Sequence, residues 1–189
     1  MELVSRLHKV GVALGSGNYG TASGSFTRGL IVTEYAVDQA QTVEPKPDNR
    51  GALNIRRVSK GPLEYKATLN FHLDVGGPAS AGIGDFLASL FGAETGSIPS
   101  PGKYLHSFGI LQSALPPWLN LWSGKDAVRK QVTGFRASSL KFAVDGKEGQ
   151  IPVDVEGLCK DESTLDVDQV LLFSDKEVLT PSMAQIASL

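Results

Sequence analysis

The side chains that most often perform catalysis or bind metals are few and widely spaced in this sequence. None of the three histidines, His8, His72 and His106, has a carboxylate or another histidine four residues away. Metal sites usually need closely spaced ligands, so the histidine pattern does not predict one. Cys159 would act as a nucleophile only with a histidine folded beside it, and no pattern predicts that arrangement. A small, partly buried thiol is the favoured interpretation of Cys159.

Two further patterns imitate ligand sites. The run Gly-Ser-Gly-Asn-Tyr-Gly at 15–20 has the glycine spacing of a dinucleotide-binding loop. That mechanism needs a helix directly after the loop, and residues 21–28 show no helical spacing of apolar residues, so a flexible loop is predicted. The acidic cluster lacks the ligand spacing of a calcium loop and is interpreted as a solvated face. Its members are Asp161, Glu162, Asp166 and Asp168. The sequence thus predicts no enzyme, no cofactor and no metal site.

Composition narrows the class of protein. The chain has 189 residues, 41% of them hydrophobic and 20% charged, which is enough apolar material for one domain spanning 1–189. The formal net charge of -2 argues against a protein that grips phosphate backbones. A single cysteine excludes an intramolecular disulfide, and no apolar run reaches the roughly 18 residues that cross a bilayer. We therefore predict a protein made in the cytoplasm with no membrane partner, and its many glycines and prolines favour strands and loops.

The clearest element is a long strand over 63–75. Apolar and polar residues alternate strictly there, which predicts one buried and one wet face over about 40 Å. A strand of that length needs a large sheet or a partner chain to cover it. The polar face consists of Glu64, Lys66, Thr68, Asn70, His72 and Asp74.

One helix and several further strands follow. Apolar residues at helical spacing predict a helix over about 80–91, with Ser80 as its N-cap and Gly92 as its C-cap. Residues 94–102 are predicted to form a loop. Strands are predicted at 10–14, 29–33, 104–111, 118–122 and 131–135, and a hairpin pairs 139–144 with 151–155. Trp118 and Trp122 are predicted to share one strand face, either as core residues or as interface anchors.

The segment 38–60 is polar and contains two prolines, which predicts a long extended loop that is either mobile or used for binding. Its basic residues are Arg50, Arg56, Arg57 and Lys60. No aromatic residues are interleaved with them for base stacking, so pairing with carboxylates of a neighbouring subunit explains them as well as nucleic acid does. The segment 163–189 has no strong pattern and is predicted to be a C-terminal arm.

The order of several short motifs resembles one protein family. Asn-Arg-Gly at 49–51 precedes Lys-Gly-Pro at 60–62, the long strand and the helix ending at Gly92. After these come Tyr-Leu-His-Ser-Phe at 104–108, Leu-Asn-Leu-Trp at 119–122, Val-Thr-Gly-Phe-Arg at 132–136 and Ile-Pro-Val-Asp-Val-Glu-Gly at 151–157. This succession, from about residue 19 to 160, is similar to the tail tube (major tail) proteins of long-tailed bacteriophages.

The resemblance implies a mainly β fold, a β-sandwich or partly closed barrel with one flanking helix, an extended loop and terminal arms. It implies a structural, non-catalytic subunit of the virion tail that forms homo-oligomeric sixfold rings. The stacked rings would form a channel for DNA, which passes without specific binding. Other partners would be the tail tip, terminator and tape-measure proteins. Within this framework the polar face 64–74 is predicted to line the lumen or another polar surface, and its mixed charge leaves the sign of the lumen charge open. The basic residues at 50, 56, 57 and 60 are predicted to lie between subunits.

One alternative belongs to a different class. A monomeric β-barrel could bind a small apolar ligand in a pocket lined by Trp118 and Trp122. Assembly separates the two hypotheses, because a pocket protein stays monomeric and a tube subunit does not.

Overall fold

Ten strands and one helix are formed within the residues that this computed structural model describes, which are 8–46, 57–73, 80–100, 103–110, 115–125, 128–142, 151–165 and 167–173. The elements are β1 (His8–Leu14), β2 (Arg28–Val32), β3 (Glu34–Lys46), β4 (Arg57–His72), α1 (Ile83–Phe91), β5 (Gly92–Ser100), β6 (Lys103–Ile110), β7 (Leu119–Lys125), β8 (Val128–Phe142), β9 (Pro152–Cys159) and β10 (Asp161–Thr164). The predicted mainly β fold with one flanking helix is confirmed, and so is the hairpin that β8 forms with β9.

Eight strands form one antiparallel sheet in the order β2-β1-β7-β8-β9-β4-β3, with β10 beside β8. Strand β8 belongs to both halves, because residues 128–135 pair with β7 and residues 136–142 pair with β9. The change-over lies beside Gly134, whose φ of 67° is a backbone conformation that favours glycine. The hydrogen-bonded path does not close into a barrel. A single core nevertheless joins both halves, with Val12 and Leu121 from one packing in the same cluster as Leu69 and Val155 from the other.

Helix α1 is held over the core by aromatic contacts. Phe86 is fully buried, with its ring centroid 5.5 Å from that of Phe71 and 6.1 Å from that of Phe135. The predicted C-cap is confirmed, because Gly92 has a φ of 99° and donates its backbone N–H to the Ala88 carbonyl. The predicted N-cap is wrong. The helix starts at Ile83, and the backbone N–H of Gly82 donates to the Asp85 carboxylate at 3.1 Å. The hydrogen-bond acceptor at the start of the helix is therefore the Asp85 carboxylate and not the Ser80 hydroxyl.

An ion pair fixes the start of α1 to β2. The Arg28 guanidinium donates to both carboxylate oxygens of Asp85, at 2.7 and 2.9 Å, and to the Ser80 carbonyl at 3.0 Å. The side chain of Asp85 is 9% exposed and that of Arg28 26% exposed. This geometry is bidentate and largely shielded, which makes it stronger than a surface pair.

Replacing Asp85 with asparagine is therefore expected to lower the free energy of unfolding by about 2 kcal/mol, because it leaves Arg28 shielded without its counter-charge. Chemical denaturation measures the loss. The control is Glu162→Gln in the more exposed Lys130–Glu162 pair, whose oxygen and nitrogen lie 3.0 Å apart and which should cost less than about 1 kcal/mol. Equal losses in the two variants would contradict this role for Asp85.

Two segments predicted as loops are strands. Residues 34–46 and 57–72 form the hairpin arms β3 and β4, so the predicted loop 38–60 is wrong outside 47–56, which lie beyond the described residues. Residues 92–100 form β5 rather than a loop, and β5 pairs with β6 as a separate two-stranded sheet. Strand β3 lacks uniform alternation because residues 38–43 are exposed on both faces, and β5 is rich in glycine and serine, so no periodicity marks either strand.

An irregular segment covers strands β1, β7 and β8 on the side that points away from the core. Residues 15–27, which include the glycine run, form the predicted loop and no helix follows them. The Asn120 and Gln131 side chains donate to the carbonyls of Thr21 and Ser23, which holds this loop on the sheet. Trp118 and Trp122 are only 7% and 5% exposed, which confirms the core-packing interpretation.

The described part of the predicted C-terminal arm lies against its own chain. Residues 163 and 164 belong to β10, and Leu172 bridges Arg28 of β2 through backbone hydrogen bonds. The ammonium of Lys9 lies 5.5 Å from the ring centroid of Phe173. Residues 174–189 of the predicted arm lie outside the described residues.

Candidate assembly surface

The second half of the sheet is a four-stranded unit, ordered β3, β4, β9 and the 136–142 portion of β8. Its register places residues in straight rows across the strands. Rows that face the core are apolar, such as Tyr35, Leu69, Val155 and Leu140. Rows on the opposite side are polar, such as Glu34, Asn70, Asp154 and Lys141. We call this opposite side the polar face.

Strand β4 supplies the middle of this arrangement. Its inward residues Tyr65, Ala67, Leu69 and Phe71 are buried, as the alternation of the sequence predicts. Its other side carries five of the six predicted lumen residues. Glu64 and Lys66 are exposed, whereas Thr68, Asn70 and His72 are half-buried; Asp74 lies outside the described residues. The structure thus brings these five residues onto one face that points away from the core, and their position in a lumen stays a prediction.

The polar face carries more carboxylates than amines. Its acidic residues are Glu34, Asp38, Glu64, Asp154 and Glu156, and its basic residues are Lys66, Lys141 and Arg136. Lys66 pairs with Glu156 at 2.7 Å, and this bond together with the charges of Lys66 and Lys141 lowers the pKa of the Glu156 carboxyl. The Asn70 amide donates to Glu34 at 3.0 Å. The acidic excess makes this surface repel phosphate groups rather than bind them.

Both edges of the four-stranded unit lack a further strand in the described residues, although the Ala137 backbone N–H in β8 donates to the Ser89 hydroxyl of α1 at 3.2 Å. Within the described part of the chain, β3 pairs only with β4, and residues 136–142 of β8 pair only with β9. Exposed strand edges with free backbone groups are sites at which another chain can add a strand. Phe142 ends the β8 edge on the inward side, yet its side chain is 60% exposed. The β8 edge therefore ends in an exposed aromatic side chain.

The hairpin of β3 and β4 extends past the core. In the part of the hairpin that precedes Tyr65 in β4, the inward residues are no longer covered by the rest of the chain, and Val43 and Leu63 are 53% and 39% exposed. The predicted inter-subunit residues belong to this region. Lys60 is exposed on β4, Arg57 begins that strand, and Arg50 and Arg56 lie outside the described residues. Their role in contacts between subunits stays a prediction.

Chemical groups elsewhere in the described residues are not gathered into a reactive site. Burial raises the pKa of the Cys159 thiol to about 12, which keeps it protonated and a poor nucleophile. Burial also raises the pKa of the neighbouring Tyr35 hydroxyl. No cluster of three or more histidine, cysteine or acidic side chains that could hold a metal ion occurs in these ranges. No helix that the structure describes is long and apolar enough to cross a membrane.

Comparison with known proteins gives matches only at the level of solved structures. No protein-family model matches the sequence, and no curated protein does. The chain is similar to a protein of the PVC sheath-tube complex of an extracellular contractile injection system, with 12% identity over 87% of this chain and 90% of that one and a TM-score of 0.46. It is also similar to a protein of the anti-feeding prophage baseplate, with 9% identity over 88% of this chain and 95% of that one and a TM-score of 0.48. A third similar structure is that of the SPP1 tail tube, with 12% identity over 86% of this chain and 79% of that one and a TM-score of 0.43.

Sequence reasoning located the polar face but missed its edges. The alternation in 63–72 reveals β4, whereas the edge strand β3 has no uniform alternation and contains Pro45. Proline is tolerated at a sheet edge, so its presence was a signal for an edge strand rather than for a loop. The sequence indicated less clearly that β8 is one strand that pairs with both β7 and β9. The only indication was the short gap between the two predicted strands at 131–135 and 139–144.

Proposed function

We propose that this chain is a structural subunit of a phage-type tail tube, and that copies of it join into rings through the open edges of the four-stranded unit. The observation that carries the proposal is the unit itself. It has a core-facing apolar side, a wet acidic side and two unpaired edges, of which one ends in the exposed Phe142.

Strand direction supports ring formation by edge pairing. All neighbours in the unit are antiparallel, so β3 and the 136–142 portion of β8 run in opposite directions. Strand β3 of a second copy can therefore lie beside β8 and continue the alternation without a change of pattern. Six copies with four strands each would give a circumference of about 115 Å at about 4.8 Å per strand. That corresponds to a backbone ring roughly 37 Å across, which strand tilt would widen.

The acidic polar face would then line the channel. A surface with excess carboxylates offers DNA few attractive phosphate contacts, so a duplex would pass without being held. Passage of this kind needs no catalytic group. The protein would be made in the host cytoplasm and function in the virion tail or a related injection particle.

The β3–β4 hairpin is the proposed contact between stacked rings. It extends past the core, carries exposed Val43 and Leu63, and includes the basic residues 57 and 60. Those features fit a protein partner better than solvent, because apolar and cationic side chains together complement the rim of a neighbouring ring. The tip, terminator and tape-measure proteins of the tail would meet the ends and the inside of the same stack.

The small-ligand alternative has less support. Phe71, Phe86 and Phe135 fill the space between helix and sheet with contacting rings, and both tryptophans are buried by their own chain. A ligand in that position would have to displace well-packed aromatic side chains.

Negative-stain electron microscopy of the purified protein, at stepwise increasing concentration, tests the proposal. We expect rings or tubes with a central channel. Compact monomers at every concentration, with and without added tail-tip complexes, would contradict it.

A further inference from the structure

We propose that unlike charges on the two open edges force the copies to join head to tail, so that rings form and two-fold dimers do not. This inference rests on the proposed function, and it assigns the subunit contact to particular side chains. The partner at each edge is a second copy of this chain, which offers the opposite edge.

The β3 edge is acidic. Glu34 and Asp38 are both exposed on the polar face of this strand. No lysine or arginine occurs between residues 34 and 45, so the acidic character extends along most of the strand. Asp38 makes no ion pair within the part of the chain that the structure describes.

The β8 edge is basic. Residues 136–142 contain Arg136 and Lys141 and no carboxylate. Arg136 lies over the Tyr19 ring, 4.4 Å from its centroid, and is thereby committed within its own chain. Lys141 is exposed on the polar face, in the same cross-strand row as Glu34 at the opposite edge, and no described carboxylate lies within ion-pair distance of it.

These charges distinguish between the possible pairings. Two β3 edges brought together by a two-fold axis would set carboxylates against carboxylates, and two β8 edges would set lysine against lysine. Like charges directly opposite each other destabilise a strand pair. Only the β3–β8 pairing brings Lys141 to an acidic strand, and this is a heterologous contact, which generates a ring when it closes.

The core-facing side of the same edges supports the same pairing. Leu140 and Phe142 end the apolar rows at the β8 edge, while Tyr35 and Val37 end the rows at the β3 edge. With Lys141 opposite Glu34 of a second copy, Leu140 would lie opposite Tyr35, and Tyr35 would lie diagonal to the 60% exposed Phe142 on the core-facing side. Each edge thus matches the other on both of its faces.

Charge reversal tests the inference. The reversed β3 variant carries Glu34→Lys and Asp38→Lys, and the reversed β8 variant carries Lys141→Glu. Each variant alone should need a roughly tenfold higher concentration for half-assembly than the wild type, because an attraction becomes a repulsion at every contact. Sedimentation and electron microscopy measure this concentration. The control Asp168→Lys reverses an 81% exposed charge outside the four-stranded unit and should assemble like the wild type.

Mixing separates a charge effect from misfolding. In an equimolar mixture every β3–β8 contact between unlike variants again joins opposite charges, so assembly should return to near the wild-type concentration. One chain with all three substitutions should also assemble. Assembly of either single variant at the wild-type concentration, or no recovery on mixing, would overturn the inference while the wild-type tubes still support the proposed function. A wild-type protein that never assembles would overturn both.

Discussion

Replacing Phe86 with alanine is expected to lower the free energy of unfolding by about 3–5 kcal/mol. The Phe86 side chain is fully buried in the core and contacts the rings of both Phe71 and Phe135. Its removal would leave a cavity at the point where α1 meets both halves of the sheet. Because a domain of this kind is typically stable by only about 5–15 kcal/mol, the loss is a large share of the total.

The control for this change lies five residues further along the same helix, at its last residue. Phe91 is 36% exposed at the end of α1, so Phe91→Ala removes a ring of the same size with a smaller loss of buried surface. Urea denaturation followed by tryptophan fluorescence measures both variants, since Trp118 and Trp122 are buried in the folded chain. A Phe86→Ala variant no less stable than Phe91→Ala would show that the helix does not depend on this aromatic contact.

Elements with one buried and one wet face could be predicted from the sequence. Strand β4 and helix α1 each place apolar residues at the spacing of their own geometry, so the pattern identifies them without knowledge of their neighbours. Gly92 could be assigned as a C-cap for a similar reason, because the end of the apolar stripe and the glycine coincide.

Features that depend on a distant partner could not be predicted. Strand β3 exists because β4 pairs with it along its length, and its own residues are mostly exposed. The N-terminus of α1 is set by Asp85, which also binds Arg28 of β2, 57 positions away in the chain. The open edges belong to the same class. An unpaired edge is a property of strand order, and strand order in an antiparallel sheet is not encoded in the alternation of any single strand.

The same limit applies to the candidate site. Alternation predicted which residues of β4 share a face, but the acidic character of that face comes from its neighbours. Glu34 and Asp38 come from β3, and Asp154 and Glu156 from β9. Only the register across the strands shows that these carboxylates share one face with Lys66 and outnumber its lysines.

That acidic excess leads to a second large expected effect, on DNA. Assembled wild-type tubes should retain little double-stranded DNA at low salt, whereas tubes of a Glu64→Lys, Asp154→Lys variant should bind it. Both residues are exposed on the polar face and belong to β4 and β9 rather than to the edge strands β3 and β8. Two added lysines in every subunit would line the proposed channel with repeated cations, each able to neutralise a phosphate group.

The salt dependence identifies this binding as electrostatic. With several phosphates neutralised per duplex, affinity should fall by about a thousandfold between about 50 and 200 mM salt. Co-sedimentation of short DNA duplexes with the tubes measures retention at each salt concentration. The matched control carries Asp161→Lys and Asp168→Lys, which change the net charge by the same amount outside the polar face. Equal DNA retention by the two variants would mean that the polar face does not line the channel, because charge position would then have no effect beyond net charge.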